Sequence, residues 1–157
     1  MKTTDYLSLD TNATKKVNEE LQSLLADFQI YYTNLRGFHW NVVGQQFYRL
    51  HNEFEELYDE VADQIDEIAE RILMLGGTPK HKFSDYLKVS EVKESGVVTD
   101  GKEAVQLVLD YLKVLIAKER KILEVADKGN DEGTIDLIAG YIPGQEKTVW
   151  MLTAYLS

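Results

Sequence analysis

Apolar residues return at three- and four-residue steps along most of the chain, separated by charged and amide side chains, which is the pattern of amphipathic helices. Val17, Leu21, Leu24, Phe28, Tyr31, Leu35 and Phe38 form the first such stripe and predict a helix from about Asn12 to Asn41, after a short extension over residues 1–11. Gly44 and Gln45-Gln46 mark a turn. Phe47, Leu50, Phe54, Leu57, Val61, Ile65, Ile68, Ile72 and Leu75 then predict a second helix, stopped by Gly76-Gly77-Thr78-Pro79.

Residues 80–98 keep no long period and read as a connection with at most one short helix; its length suggests a crossover between two helix pairs. Asp100 and Glu103 form a capping-box pattern ahead of Val105, Val108, Leu112, Leu115, Ile122 and Ala126, and Gly129 is expected to close that helix. Asn130 or Asp131 caps a fourth, carrying Ile135, Ile138, Ile142, Val149, Leu152 and Leu156, with a kink or break expected at Pro143-Gly144. The expected fold is all-α: one domain over residues 1–157, a four-helix bundle with a long crossover between helices 2 and 3.

Composition narrows the chemistry. The chain has 157 residues, 27 acidic against 17 basic, a formal charge of −10 and no cysteine. Thiolate metal sites, iron–sulfur clusters and cysteine nucleophiles are excluded, so any metal must be held by histidine and carboxylate. The acidic balance argues against a large phosphate-binding face. No apolar run approaches membrane-spanning length, and the first residues lack the blocks of a secretory signal, so a cytoplasmic protein is expected.

His39 and His51 each stand six residues from Gln45, so an antiparallel hairpin would set them level with each other. A pair of buried, hydrogen-bonded histidines is the plain reading. The second helix adds to it: Glu55 lies one turn beyond His51, Asp66 is 11 residues further and only about 20° off the same line, and Glu70 lies one turn beyond Asp66. Glu55 and Asp66 are expected to border the buried stripe, where a carboxylate needs a metal ion or a basic partner. His51 and Asp66 are about 22 Å apart along a straight helix, so one chain cannot bring both pairs to one ion. Two copies packed antiparallel about Glu60 and Val61 would bring each His51-Glu55 pair to the partner's Asp66-Glu70 pair, making the site twice. Two imidazoles and three carboxylates suit Fe(II), and also Mn or Zn.

Phe38-His39-Trp40-Asn41, Leu50-His51-Asn52-Glu53-Phe54-Glu55-Glu56-Leu57-Tyr58, and Asp66-Glu67-Ile68-Ala69-Glu70-Arg71-Ile72 with Gly76-Gly77 closely resemble the Dps family, ferritin-like DNA-binding proteins from starved cells. The resemblance extends to Val149-Trp150-Met151-Leu152, and the Glu-x-x-His motif of larger ferritins is absent. The resemblance implies a ferroxidase that oxidises Fe(II) with hydrogen peroxide and stores ferric mineral in a hollow homododecamer built from two-fold dimers. It further implies His39, His51 and Glu55 as ligands from one subunit, with Asp66 and Glu70 of the partner subunit. Trp40 matches an aromatic residue beside that centre, with interface packing as the alternative. Asp131 and Asp136 resemble acidic residues of the family's three-fold iron-entry pores; Asp131 is also a natural N-cap, and Pro143-Gly144 departs from the acidic, proline-free helix expected there. His81 matches no ligand and reads as a surface histidine.

DNA binding and a purely structural bundle are the rivals. DNA-binding members use lysine-rich tails, whereas the first sixteen residues here hold Lys2, Lys15 and Lys16 against Asp5 and Asp10, and Thr153-Ala154-Tyr155-Leu156-Ser157 has no charged side chain. No useful DNA affinity is expected at physiological salt.

Overall fold

The structure is a computed structural model that describes residues 2–157. Its helices are α1 (Thr11–Asn41), α2 (Phe47–Met74), α3 (Phe83–Val89), α4 (Gly101–Asp127) and α5 (Glu132–Leu156), after one 3₁₀ turn at Thr3–Tyr6. There is no strand among the described residues. α1 packs along α2 and α4 along α5 as two hairpins, and α1 against α4 joins them into a four-helix bundle. The expected stripes supply the core: Val17, Leu21, Leu24, Phe28, Leu35, Phe54, Ile68, Ile72, Val105, Val108, Leu115, Ile122 and Ile138 are fully enclosed. None of the helices is long and apolar enough to cross a membrane.

Side-chain caps fix where the helices begin. Asp10 accepts hydrogen bonds from the Asn12 and Ala13 amides and opens α1 one residue earlier than expected, and Asp100 accepts from the Glu103 amide, the Asp half of the expected box. α2 ends in a Schellman motif: the Gly77 amide bonds to the Ile72 carbonyl and the Gly76 amide to that of Leu73. Gly76 holds φ at +77°, which a side chain would strain.

α4 ends differently from expectation. Asn130, not Gly129, takes the left-handed conformation, at φ +50°, and the Asp131 amide reaches back to the Ala126 carbonyl. Gly129 is needed for space, since a Cβ there would meet Ala13 Cβ at 2.8 Å. α5 is also continuous through Pro143, so the expected break does not occur. Proline removes the amide that would bond to the Ala139 carbonyl, but Pro143 and Gly144 lie on the exposed side and Ala139 is only half-buried, where water can serve that oxygen. Tyr141, Ile142 and Gln145 are buried on the other side and hold the helix to the bundle.

The crossover is bonded to α1 by polar side chains. Asn18 and Gln22 donate to the carbonyls of Leu75 and Thr78, and Asn34 donates to that of Lys93 and accepts from the Ser95 amide. Asp27 Oδ1 accepts from the Ser90 hydroxyl and from the Glu91 and Val92 amides. Its other oxygen forms a buried ion pair with Lys118 of α4. α3 packs on α1 within this segment, and His81 is exposed, as expected.

Candidate metal centre

α1 delivers His39 in its last turn and α2 delivers His51 in its second, across a turn that Gly44 makes at φ +102°. The two histidines grip each other's backbone. His39 Nδ1–H donates to the His51 carbonyl at 2.7 Å, and His51 Nδ1–H donates to the His39 carbonyl at 2.9 Å. A carbonyl oxygen can only accept, so Nδ1 carries the proton on each ring, and in the neutral ring the lone pair lies on Nε2. The rings stack with centroids 3.7 Å apart and planes 20° from parallel, which sets the rings side by side. A ligand atom from each of His39, His51 and Glu55 lies within 4.8 Å of the other two.

Burial within this group is graded: His39 is buried, His51 half-buried and Glu55 exposed. The expectation that Glu55 and Asp66 border the buried stripe therefore fails for the isolated chain, since both are exposed, as is Glu70. The physical reason is that the chain's own bundle covers the Leu50, Phe54, Leu57, Val61, Gln64, Ile68 and Ile72 stripe of α2 and leaves the neighbouring acidic positions outside it. Asp66 and Glu70 stand further along α2, outside the group that His39, His51 and Glu55 form. Glu70 lines a cleft with Glu67, Arg71 and Asp136.

Aromatic groups that spacing alone did not single out surround the histidines. Phe47 stacks on His51 at 5.1 Å, and Tyr58 stands edge-on to His39 at 5.3 Å with its hydroxyl donating to Glu55 Oε1 at 3.5 Å. Partial burial and the Glu55 carboxylate push the Tyr58 hydroxyl up from its ordinary value. Tyr32 packs on Tyr58, and Arg36 lies over both Tyr32 and the exposed Trp40 ring, at 4.9 and 5.1 Å. The signal for Tyr58 was its place seven residues after His51, two turns along the same helix face.

The two pore candidates separate. Asp131 is 2 % exposed, caps α5 through the Thr134 amide and holds Arg71 at 2.5 Å, so the N-cap reading is the one seen. Gly133 makes room for this pair, because a Cβ there would meet the guanidinium at 2.9 Å. Asp136 is exposed and faces the cleft with Glu67 and Glu70.

The sequence matches the ferritin-like domain family over residues 18–157. It is 49% identical to a DNA protection during starvation protein of Porphyromonas gingivalis over 135 residues, 86% of this chain and 85% of that one. It is 40% identical to DNA protection during starvation protein 2 of Bacillus anthracis, over 91% of this chain and 98% of that one. The crystal structure of a Dps protein from Vibrio cholerae O1, described as a member of a broad superfamily of ferritin-like diiron-carboxylate proteins, superimposes with a TM-score of 0.95 at 45% identity, covering 97% of this chain and 96% of that one. With the bundle, the crossover and the paired histidines all in place, the chain belongs to the Dps family of ferritin-like proteins.

Proposed function

We propose that this protein oxidises Fe(II), its substrate, with hydrogen peroxide and stores the ferric product inside a shell of twelve copies assembled from two-fold dimers. The observation that carries the reading is the reciprocal His39–His51 latch, which spends Nδ1 of each ring on backbone and leaves Nε2 as its metal donor, in a group whose ligand atoms, Glu55's included, lie within 4.8 Å of one another. Three donors from one chain leave an iron ion open positions, and the exposed Asp66 and Glu70 of the partner subunit supply the missing carboxylates across a two-fold contact. Zn(II) and Mn(II) fit the same donor set and would compete with iron.

In this reading the histidines orient and hold iron as neutral donors, while the three carboxylates balance its charge as it rises. Peroxide takes one electron from each of two Fe(II) and two protons, ending as two waters, so hydroxyl radical is not released. Tyr58 stands edge-on to His39 as an oxidisable ring that can take up a stray oxidising equivalent, and Trp40, next to His39 in sequence and packed under Arg36, takes the same role in this reading. Asp136, exposed in a cleft with Glu67 and Arg71, is the remaining acidic residue proposed to draw Fe(II) inward, since Asp131 is committed to Arg71.

DNA binding is not part of this proposal. Lys15 and Lys16 lie on α1, so Lys2 is the sole lysine of the extension, and the chain carries −10 overall. The test combines a mass measurement in solution with a peroxide titration. The expected result is a dodecamer consuming about two Fe(II) per peroxide, with Asp66→Ala abolishing rapid oxidation. A monomer, or oxidation that survives Asp66→Ala, overturns the interfacial site.

A further inference from the structure

Tyr32, Arg36 and Trp40 recur every fourth residue on one face of α1, and the Arg36 guanidinium lies over the Tyr32 ring at 4.9 Å and over the Trp40 ring at 5.1 Å. Arg36 makes no ion pair among the described residues, and its buried Nε has no hydrogen-bond partner. The cation therefore packs on two rings with no ion-paired carboxylate to offset its charge. Tyr58 stands outside this sandwich: among the described residues no cation lies over its ring. Tyr32 packs edge-on against it at 5.9 Å, its own edge meets His39 at 5.3 Å, and its hydroxyl is turned to Glu55 Oε1 at 3.5 Å.

These surroundings rank the rings as one-electron donors. Taking an electron from an indole leaves positive charge on the ring, and a guanidinium that attracts the neutral face repels the charged one. Trp40 is thereby made harder to oxidise. A phenol that loses its electron and proton together ends as a neutral radical, so the same repulsion does not arise at Tyr58. Its O–H bond also points to the Glu55 side of the histidine group, whereas Trp40 is 65 % exposed and faces Arg36.

We propose that Arg36 shields Trp40 from one-electron oxidation, and that Tyr58 supplies the missing electron when hydrogen peroxide meets a centre holding a single Fe(II). This role rests on the peroxide oxidation proposed above. One Fe(II) breaks the O–O bond to give Fe(III), hydroxide and a hydroxyl radical. The radical takes the hydrogen atom of the Tyr58 hydroxyl, forming water and leaving a neutral phenoxyl radical. A second Fe(II) and a proton then restore the phenol and give the second Fe(III), and another proton turns the hydroxide into water. The sum is two Fe(II), one peroxide and two protons consumed for two Fe(III) and two waters, so Tyr58 lets the irons arrive one at a time. Arg36 acts as a positioning residue, through its charge on Trp40.

The deciding test needs no iron. The full chain carrying Trp150→Phe, which leaves Trp40 as its one tryptophan, is oxidised with azide radicals made by pulse radiolysis, and transient absorption separates indolyl from phenoxyl radicals. The expected result is that the Trp40 radical decays into a phenoxyl radical and that Tyr58→Phe abolishes this transfer. Arg36→Gln should raise the lasting Trp40 share at least about threefold, and Arg36→Lys, which keeps the charge, should recover part of the difference. Transfer that survives Tyr58→Phe, or a Trp40 share unchanged by Arg36→Gln, overturns the proposal. Peptide mapping of the unmodified protein after Fe(II) and excess peroxide gives a readout free of any folding defect. More oxidation at Tyr58 than at Trp40 supports the ranking, and as much or more at Trp40 overturns it. A wild type that keeps the ring preference under azide radicals but does not oxidise Fe(II) with peroxide would overturn the ferroxidase reading instead.

Discussion

Arg71 of α2 and Asp131 at the head of α5 are joined at 2.5 Å in a nearly solvent-free contact, so one carboxylate both caps a helix and ties the two hairpins together. The Thr134 hydroxyl completes the arrangement, donating to Asp131 and accepting from Arg71 Nε. Replacing Asp131 with Ala strands a buried guanidinium as well as removing the cap. We expect Asp131→Ala to lower stability by about 3 to 5 kcal/mol, read as a fall in denaturation midpoint. A loss below about 1 kcal/mol would show that the pair is solvated in solution.

The two histidines should fail as a unit. Removing either ring takes away one metal donor and the stacked neighbour that packs 3.7 Å from the other ring, so the surviving imidazole keeps its backbone hydrogen bond but holds iron alone. We expect His39→Ala, His51→Ala and the double variant to lose iron oxidation to a similar degree, each by about a hundredfold or more. Losses that multiply in the double variant would mean that the histidines act independently.

Pro143 offers a gain. α5 is already helical through this position, and Pro143→Ala would restore an amide donor to the Ala139 carbonyl without moving buried side chains. The expected outcome is a stabilisation of about 1 to 3 kcal/mol, seen as a higher melting temperature with unchanged iron oxidation. Destabilisation would show that the proline fits a local bend in α5.

Glu119 gives a pH signature. Burial raises its carboxyl from 4.5 to about 8, so the folded chain keeps a proton that the unfolded chain has released over that interval. Stability tied to this group is therefore full below 4.5, declines as pH rises and levels off above about 8. Unfolding free energy of the wild type relative to Glu119→Gln should fall across this window. A flat difference would mean that the carboxyl ionises normally inside the bundle.

Much of this architecture could be read from the residues because helical periodicity and chain-local signals specify it. The four long helices, the stop at Gly76, the caps at Asp100 and Asp131 and the levelling of His39 with His51 all depend on neighbours close in sequence or on one short turn. What escaped was contact between distant segments. Asn18, Gln22, Asp27 and Asn34 looked like ordinary polar positions, yet their partners lie 56 to 65 residues away, at the end of α2 and in the crossover. Glu119 carries no signal of its own in the sequence, and only the packing of α4 on α5 shows it enclosed against Gln145. Asp66 and Glu70 remain a separate matter, because a single chain does not bring them to the histidines.

The polar attachments along α1 also bear on how the protein comes apart. Asp27 is bound at once to the crossover and to Lys118 of α4, so peeling away that segment would expose a buried charge pair together with the seam between the hairpins. Neither half can melt while the other stays ordered, and each subunit is expected to unfold as a single cooperative unit rather than hairpin by hairpin.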